Sequence, residues 1–215
     1  MSFLQQLKSQ AKELQTQRTE QDSLFEERSA QTDHACRFIL PYLQDLARQL
    51  NVIEPPAPAF SLDGKTPWPP MKLVDFRVDA RRKRLRDVEV IDYIGMGWRV
   101  VPQSGEPVVG VVSVNFPIEM QKVEQRLAMG PVKHERREIR HPEKSVLLEV
   151  RYEYLTETRG SVVATSDHDN GRIHFRLLNT QGFEAVDAPW PAQRIGNDTL
   201  DELAKRIVGQ PSLFV

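Results

Sequence analysis

Apolar positions recur along this chain with two different periods, and the change from one to the other falls near residue 54. Up to that point there is no Gly and one Pro, Pro41, and the sequence is rich in Gln, Glu, Leu and Ala, all good helix formers. Leu4, Leu7, Ala11 and Leu14 follow the 3, 4, 3 spacing of a coiled-coil seam, but its continuation lands on Arg18 and Gln21 before Phe25, so the seam is short. Cys36, Ile39, Leu40, Leu43, Leu46, Ala47 and Leu50 form the wider stripe of a helix packed on a core. The polar stretch 15–33 between the two sets lacks Gly and Pro, so it reads as continuous helix or as the bend of a helical hairpin. The expectation is two helices, near 2–30 and 33–51. Pro41 cannot donate to the carbonyl of Arg37, and should kink the second helix or mark its first turn.

Residues 53–70 contain Pro55, Pro56, Pro58, Pro67, Pro69 and Pro70 with Gly64, a composition that favours an extended tether. Trp68 within it is expected to pin the tether onto the following domain. After residue 70 the period becomes two, as in strands with one buried face. Val74, Phe76, Val78 and Ala80 alternate with charged residues, as do Leu148, Val150, Tyr152 and Tyr154, and Ile173, Phe175 and Leu177. Val108–Val114 is more uniformly apolar and reads as a central strand.

Asn170-Gly171 suits a type I′ turn between strands at 161–166 and 172–178, and Gln181-Gly182 a further turn. A helix is expected from Pro117 to Ala128, stopped by Gly130 and Pro131. Another is expected at 199–208, with Thr199-Leu200-Asp201-Glu202 as a capping box, Leu200, Leu203, Ala204, Ile207 and Val208 as its stripe, and Gly209 as its stop. Leu213 and Phe214, beyond that stop, are expected to dock. The predicted class is α+β. A helical association segment (1–52) and a Pro-rich tether (53–70) precede a mostly antiparallel sheet domain (71–215) with one internal and one C-terminal helix.

Composition narrows the function classes. Across 215 residues, 29 Lys+Arg balance 30 Asp+Glu, which argues against a dedicated nucleic-acid binder. No apolar run approaches the roughly 18 residues of a membrane-spanning helix. A single cysteine excludes an internal disulfide, and the first residues lack the pattern of a secretory signal, so a cytoplasmic location is expected.

Two basic clusters are the candidate anion-binding residues: Arg81, Arg82, Lys83, Arg84 and Arg86, and Arg136, Arg137 and Arg140. For the first, the solvated-hairpin alternative has Asp75, Asp79, Asp87, Glu89 and Asp92 close by to balance it. Arg136 and Arg140 have the RxxxR spacing of PilZ domains, but the positions that the companion motif needs hold Ser166 and His168. His134 and His141 make no HExxH, Ser166–Gly171 fails the calcium-loop spacing, and the Gly95-Met96-Gly97 segment is no dinucleotide fingerprint. Those glycines read instead as relief of a strand kink beside Trp98. Cys36 reads as a small core residue. No catalytic residue, metal or cofactor is expected.

Two functions lead, with an enzyme whose acid and base residues meet only in the fold as a third. The first is a non-enzymatic interaction or scaffold protein that associates, with itself or with a protein partner, through Leu4, Leu7, Ala11 and Leu14 and presents the β domain. The second is a protein that binds a nucleotide, nucleic acid or other small anion through the β domain and its arginines.

Overall fold

The computed structural model describes residues 3–215 and has an α+β architecture: one long helix, eight antiparallel strands in two sheets, and two shorter helices. The first helix, α1 (Phe3–Ile53), is continuous and does not break at residues 30–33. Ser2, where the first of two expected helices would begin, lies outside the described residues. Polarity at 15–33 marks a helix solvated on nearly every side, because nothing in the stretch terminates the backbone ladder. Thr16, Thr19 and Thr32 return their hydroxyls to the carbonyls four residues back, and Arg37 pairs with Asp33 at 2.8 Å. Pro41 lies inside the helix on its exposed face, where water can serve the carbonyl that lacks an N–H partner.

Residues 54–70 run along the surface and send a few side chains into the core. Phe60, Leu62 and Trp68 are buried, and Trp68 stacks on Tyr154 at 5.6 Å and meets Phe183 edge-on at 5.2 Å. The Pro-rich composition supplies extended backbone, and its aromatic residues anchor it.

The larger sheet has the order β1 (Met71–Leu85), β2 (Val88–Pro102), β6 (Thr158–Asp167), β7 (Arg172–Leu178), β8 (Ala185–Pro191). The smaller has the order β3 (Val109–Val114), β5 (Leu147–Leu155), β4 (His134–Arg140). The run 108–114 is therefore an edge strand and not a central one: Val112 and Val114 are buried while Val109 and Val111 are exposed. Uniform apolarity does not reveal which face is covered. A bulge between Val74 and Arg77 shifts the phase of β1, burying Leu73 and Phe76 and leaving Ala80 exposed.

One face of the larger sheet, with Ile94, Met96, Val162, Ala164, Phe175 and Leu177, is buried beneath α1 and α3 (Asn197–Ile207). Ala35, Cys36, Ile39, Leu43, Ala47 and Leu50 of α1 and Leu200, Leu203 and Ile207 of α3 belong to the same core, and the Tyr42 hydroxyl donates to Asp201 at 2.6 Å between the helices. The expected capping box does not form. The helix begins two residues before Thr199, whose hydroxyl donates to the Arg194 carbonyl, and Glu202 instead accepts from Lys205 and from the Leu213 N–H. Helix α2 (Pro117–Met129) buries Val123 and Leu127 and is tied to β5 by the Tyr152 hydroxyl donating to Glu124. The loop after β6 holds four residues, 168–171, of which Gly171 alone has positive φ, so it is not a two-residue type I′ turn. Among the described residues no helix is long and apolar enough to cross a membrane.

Candidate functional site

Two features of the surface stand out once the core is accounted for. The first is the amino-terminal part of α1. Contacts with the β domain begin at Asp22, whose carboxylate receives Arg86 at 3.2 Å, and at Phe25, whose ring lies 3.9 Å beneath the same guanidinium. The tip of the β1–β2 hairpin thus props the helix. Residues 3–21 project beyond it over about 28 Å at 1.5 Å per residue. Leu4, Leu7 and Leu14 are 61%, 45% and 56% exposed, and Ala11 is exposed as well. At 3.6 residues per turn the mean direction of these four residues falls within roughly 40° of that of Thr32, Ala35, Cys36, Ile39, Leu43, Ala47 and Leu50. Both apolar sets therefore lie on the same side of the helix, separated by Arg18 and Gln21, and its own chain covers the second set and leaves the first uncovered.

The second feature is the open face of the larger sheet. Positions that alternate with the buried ones face outward here: Arg77 and Asp79 on β1, Gly95, Gly97 and Arg99 on β2, Arg159 and Ser161 on β6. Together with Asp75, Trp98, Pro131, Gly160 and Leu178 several of these line a pocket of about 580 Å³. Arg99 is engaged by Asp75 at 2.9 Å and by Glu157 at 2.8 Å. The Asp79 carboxylate accepts from the Tyr93 hydroxyl at 3.2 Å, and the carboxylate pushes that phenol above its usual range. Trp98 is only 3% exposed, stacks on Phe76 at 5.6 Å, and has an indole N–H with no acceptor.

The basic residues singled out from sequence lie elsewhere, on different sheets. At the hairpin tip Arg82 pairs with Glu89, Lys83 with Asp92, Arg84 with Asp87 and Arg86 with Asp22. Arg81 has no ion-pair partner among the described residues. On β4, Arg136 is shared by Glu138 and Glu124, Arg137 pairs with Glu135, and Arg140 pairs with Glu138 at 2.6 Å. Hydrogen bonds from Arg136 and Arg140 hold the Glu138 carboxyl below its usual range. Such exposed pairs contribute little to stability.

His134 and His141 sit at opposite ends of β4 and are not gathered: His134 contacts the Val132 carbonyl, and His141 Nδ1 accepts from the Glu143 and Lys144 N–H groups. Asp167 accepts from both the backbone and side-chain N–H of Asn170, which organises the hairpin loop. Among the described residues no three His, Cys, Asp or Glu side chains are grouped to hold a metal ion. Cys36 is buried, and burial followed by the nearby Asp33 charge pushes its thiol up to about 12, so it is a thiol and not a nucleophilic thiolate at neutral pH.

Arg77 and Arg159 are the pocket residues that sequence reasoning passed over. Neither belongs to a cluster, and the one local signal was the Gly95 and Gly97 pair within a strand. No family model matches the chain, and no curated protein or solved structure matches it either.

Proposed function

We propose that this protein is a non-enzymatic scaffold that pairs with a second copy of itself through the projecting part of α1 and displays a β domain at each end. The observation that supports the reading is the uncovered apolar stripe Leu4, Leu7, Ala11 and Leu14, on the same side of the helix as the set that its own chain covers. An antiparallel pairing about a two-fold axis at Ser9 sets Leu4 against Leu14 of the other copy and Leu7 against Ala11, so all four residues are used. Lys8, Lys12 and Glu13 then oppose Gln10, Gln6 and Gln5, and no like charges meet. The overlap ends near residue 15, short of the hairpin tip at Asp22, so the β domains do not collide. Four small contacts per copy make a weak and reversible dimer, as a seam shorter than two heptads should.

Sedimentation equilibrium of the full chain over a wide concentration range tests this. A monomer–dimer equilibrium is expected, abolished by Leu7→Glu and by Leu14→Glu with the melting temperature unchanged, because both side chains are exposed. A chain that stays monomeric throughout, or variants that dimerise as the parent does, would refute the pairing.

A further inference from the structure

We propose that the pocket on the open face of the larger sheet binds a small anion through Arg77 and Arg159, the shared chemistry being a carboxylate or phosphate group. The argument starts from register. Arg77 on β1 stands opposite Gly97 on β2, which stands opposite Ser161 on β6, and Arg159 lies one two-residue step along β6 on the same face. Two strand spacings separate β1 from β6 by about 10 Å, and β2 between them presents no side chain at Gly97. Two long guanidinium side chains flanking such a gap can converge over it, and guanidinium forks suit the planar or tetrahedral oxygens of these anions.

The charges already present leave these two arginines available. The third arginine of the pocket, Arg99, is taken by Asp75 and Glu157, whereas Arg77 and Arg159 have no ion-pair partner among the described residues. Asp75 is drawn aside to Arg99 from within the β1 bulge, with φ at 57°, a left-handed conformation that a non-glycine residue adopts at some cost. Gly97 is not required by packing: a Cβ there would find its nearest neighbour, the Gly160 carbonyl, at 3.9 Å. A glycine inside a strand weakens it, and an open one suits close approach of a ligand to the backbone. The volume of about 580 Å³ suits a small molecule.

Isothermal titration calorimetry of the full chain at low salt, with inorganic phosphate in one arm and citrate in another, tests the assignment and separates the two anion types. Saturable one-to-one binding of at least one probe is expected. It should weaken about ten-fold or more in Arg77→Ala and in Arg159→Ala, as loss of a charged hydrogen-bonding pair predicts. Gly97→Ala should also weaken it, with no loss of melting temperature since the added methyl meets nothing closer than 3.9 Å. Arg84→Ala, at the hairpin tip and paired with Asp87, should bind as the parent does. Absence of saturable binding by either probe, binding that survives any of the three pocket substitutions, or an equal loss in Arg84→Ala would each overturn the proposal.

Discussion

Trp98 and Gly160 lie directly opposite each other on β2 and β6, and the indole ring occupies the space that a side chain at residue 160 would fill. The glycine is what allows the ring to lie flat on the sheet and stack against Phe76. Gly160→Ala is therefore expected to cost about 1–3 kcal/mol, the range for overpacking a core that cannot yield. Urea unfolding of this variant beside Gly97→Ala checks it. The second substitution should be neutral or stabilising by about 0.5 kcal/mol, since strand glycines lose more backbone freedom on folding than alanine does. Equal effects at the two positions would show that the Trp98 ring is free to move.

Phe214 and Leu213 are neighbours with opposite environments. Phe214 is 2% exposed and packs edge-on against Phe175 at 5.2 Å and on Trp190 at 5.5 Å, whereas Leu213 is 86% exposed. Ser212 donates to the Glu202 carbonyl and the Leu213 N–H to the Glu202 carboxylate, which sets the alternation. Phe214→Ala should destabilise by about 3 kcal/mol, and Leu213→Ala should stay within about 0.5 kcal/mol of the parent. Chemical denaturation of the pair measures both, and a comparable loss from Leu213→Ala would count against the docking described.

Asp63 organises the loop between Leu62 and Trp68. Burial pushes its carboxyl up, but hydrogen bonds from the Thr66 and Lys65 N–H groups, the Thr66 hydroxyl and the Ser61 hydroxyl outweigh that and hold it at about 2. A carboxyl lowered on folding contributes stability that is present above its unfolded value near 3.9 and is lost as the pH falls toward 2. Discounted for solvent screening of a partly exposed group, that contribution is about 1 kcal/mol. Asp63→Asn should thus be less stable than the parent at pH 7, with the gap closing between about pH 4 and pH 2. Urea midpoints at pH 7 and pH 2.5 test this, and a gap independent of pH would place the effect in shape and not in charge.

The uncovered apolar stripe was visible in the sequence because its residues are neighbours on one helix, where spacing alone sets the face. The arginine pocket was not. Arg77 and Arg159 are far apart in the chain and each sits in an ordinary alternating strand, so no local pattern marks them; strand order β1-β2-β6 brings them to either side of Gly97. The basic run Arg81–Arg86 drew attention by its density, yet a hairpin folds its own carboxylates back onto most of it.

Period and breakers determined the α+β class, the strands around Tyr152 and Phe175, the stripe on α3, and the burial of Trp68, because these depend on residues a few positions apart. The tertiary structure decided what depends on partners distant in sequence. It carried α1 unbroken past residue 30, since a solvated helix needs no apolar face where nothing covers it. It placed β3 at an edge although its residues are apolar, because burial is set by what lies alongside. It shifted the phase of β1 with a bulge at Asp75 and Phe76, and moved the start of α3 ahead of Thr199. At β1 and β3 pairing with distant strands outweighed the local pattern, whereas α1 continued because nothing local ended it and α3 began early on contacts with residues close by in the chain.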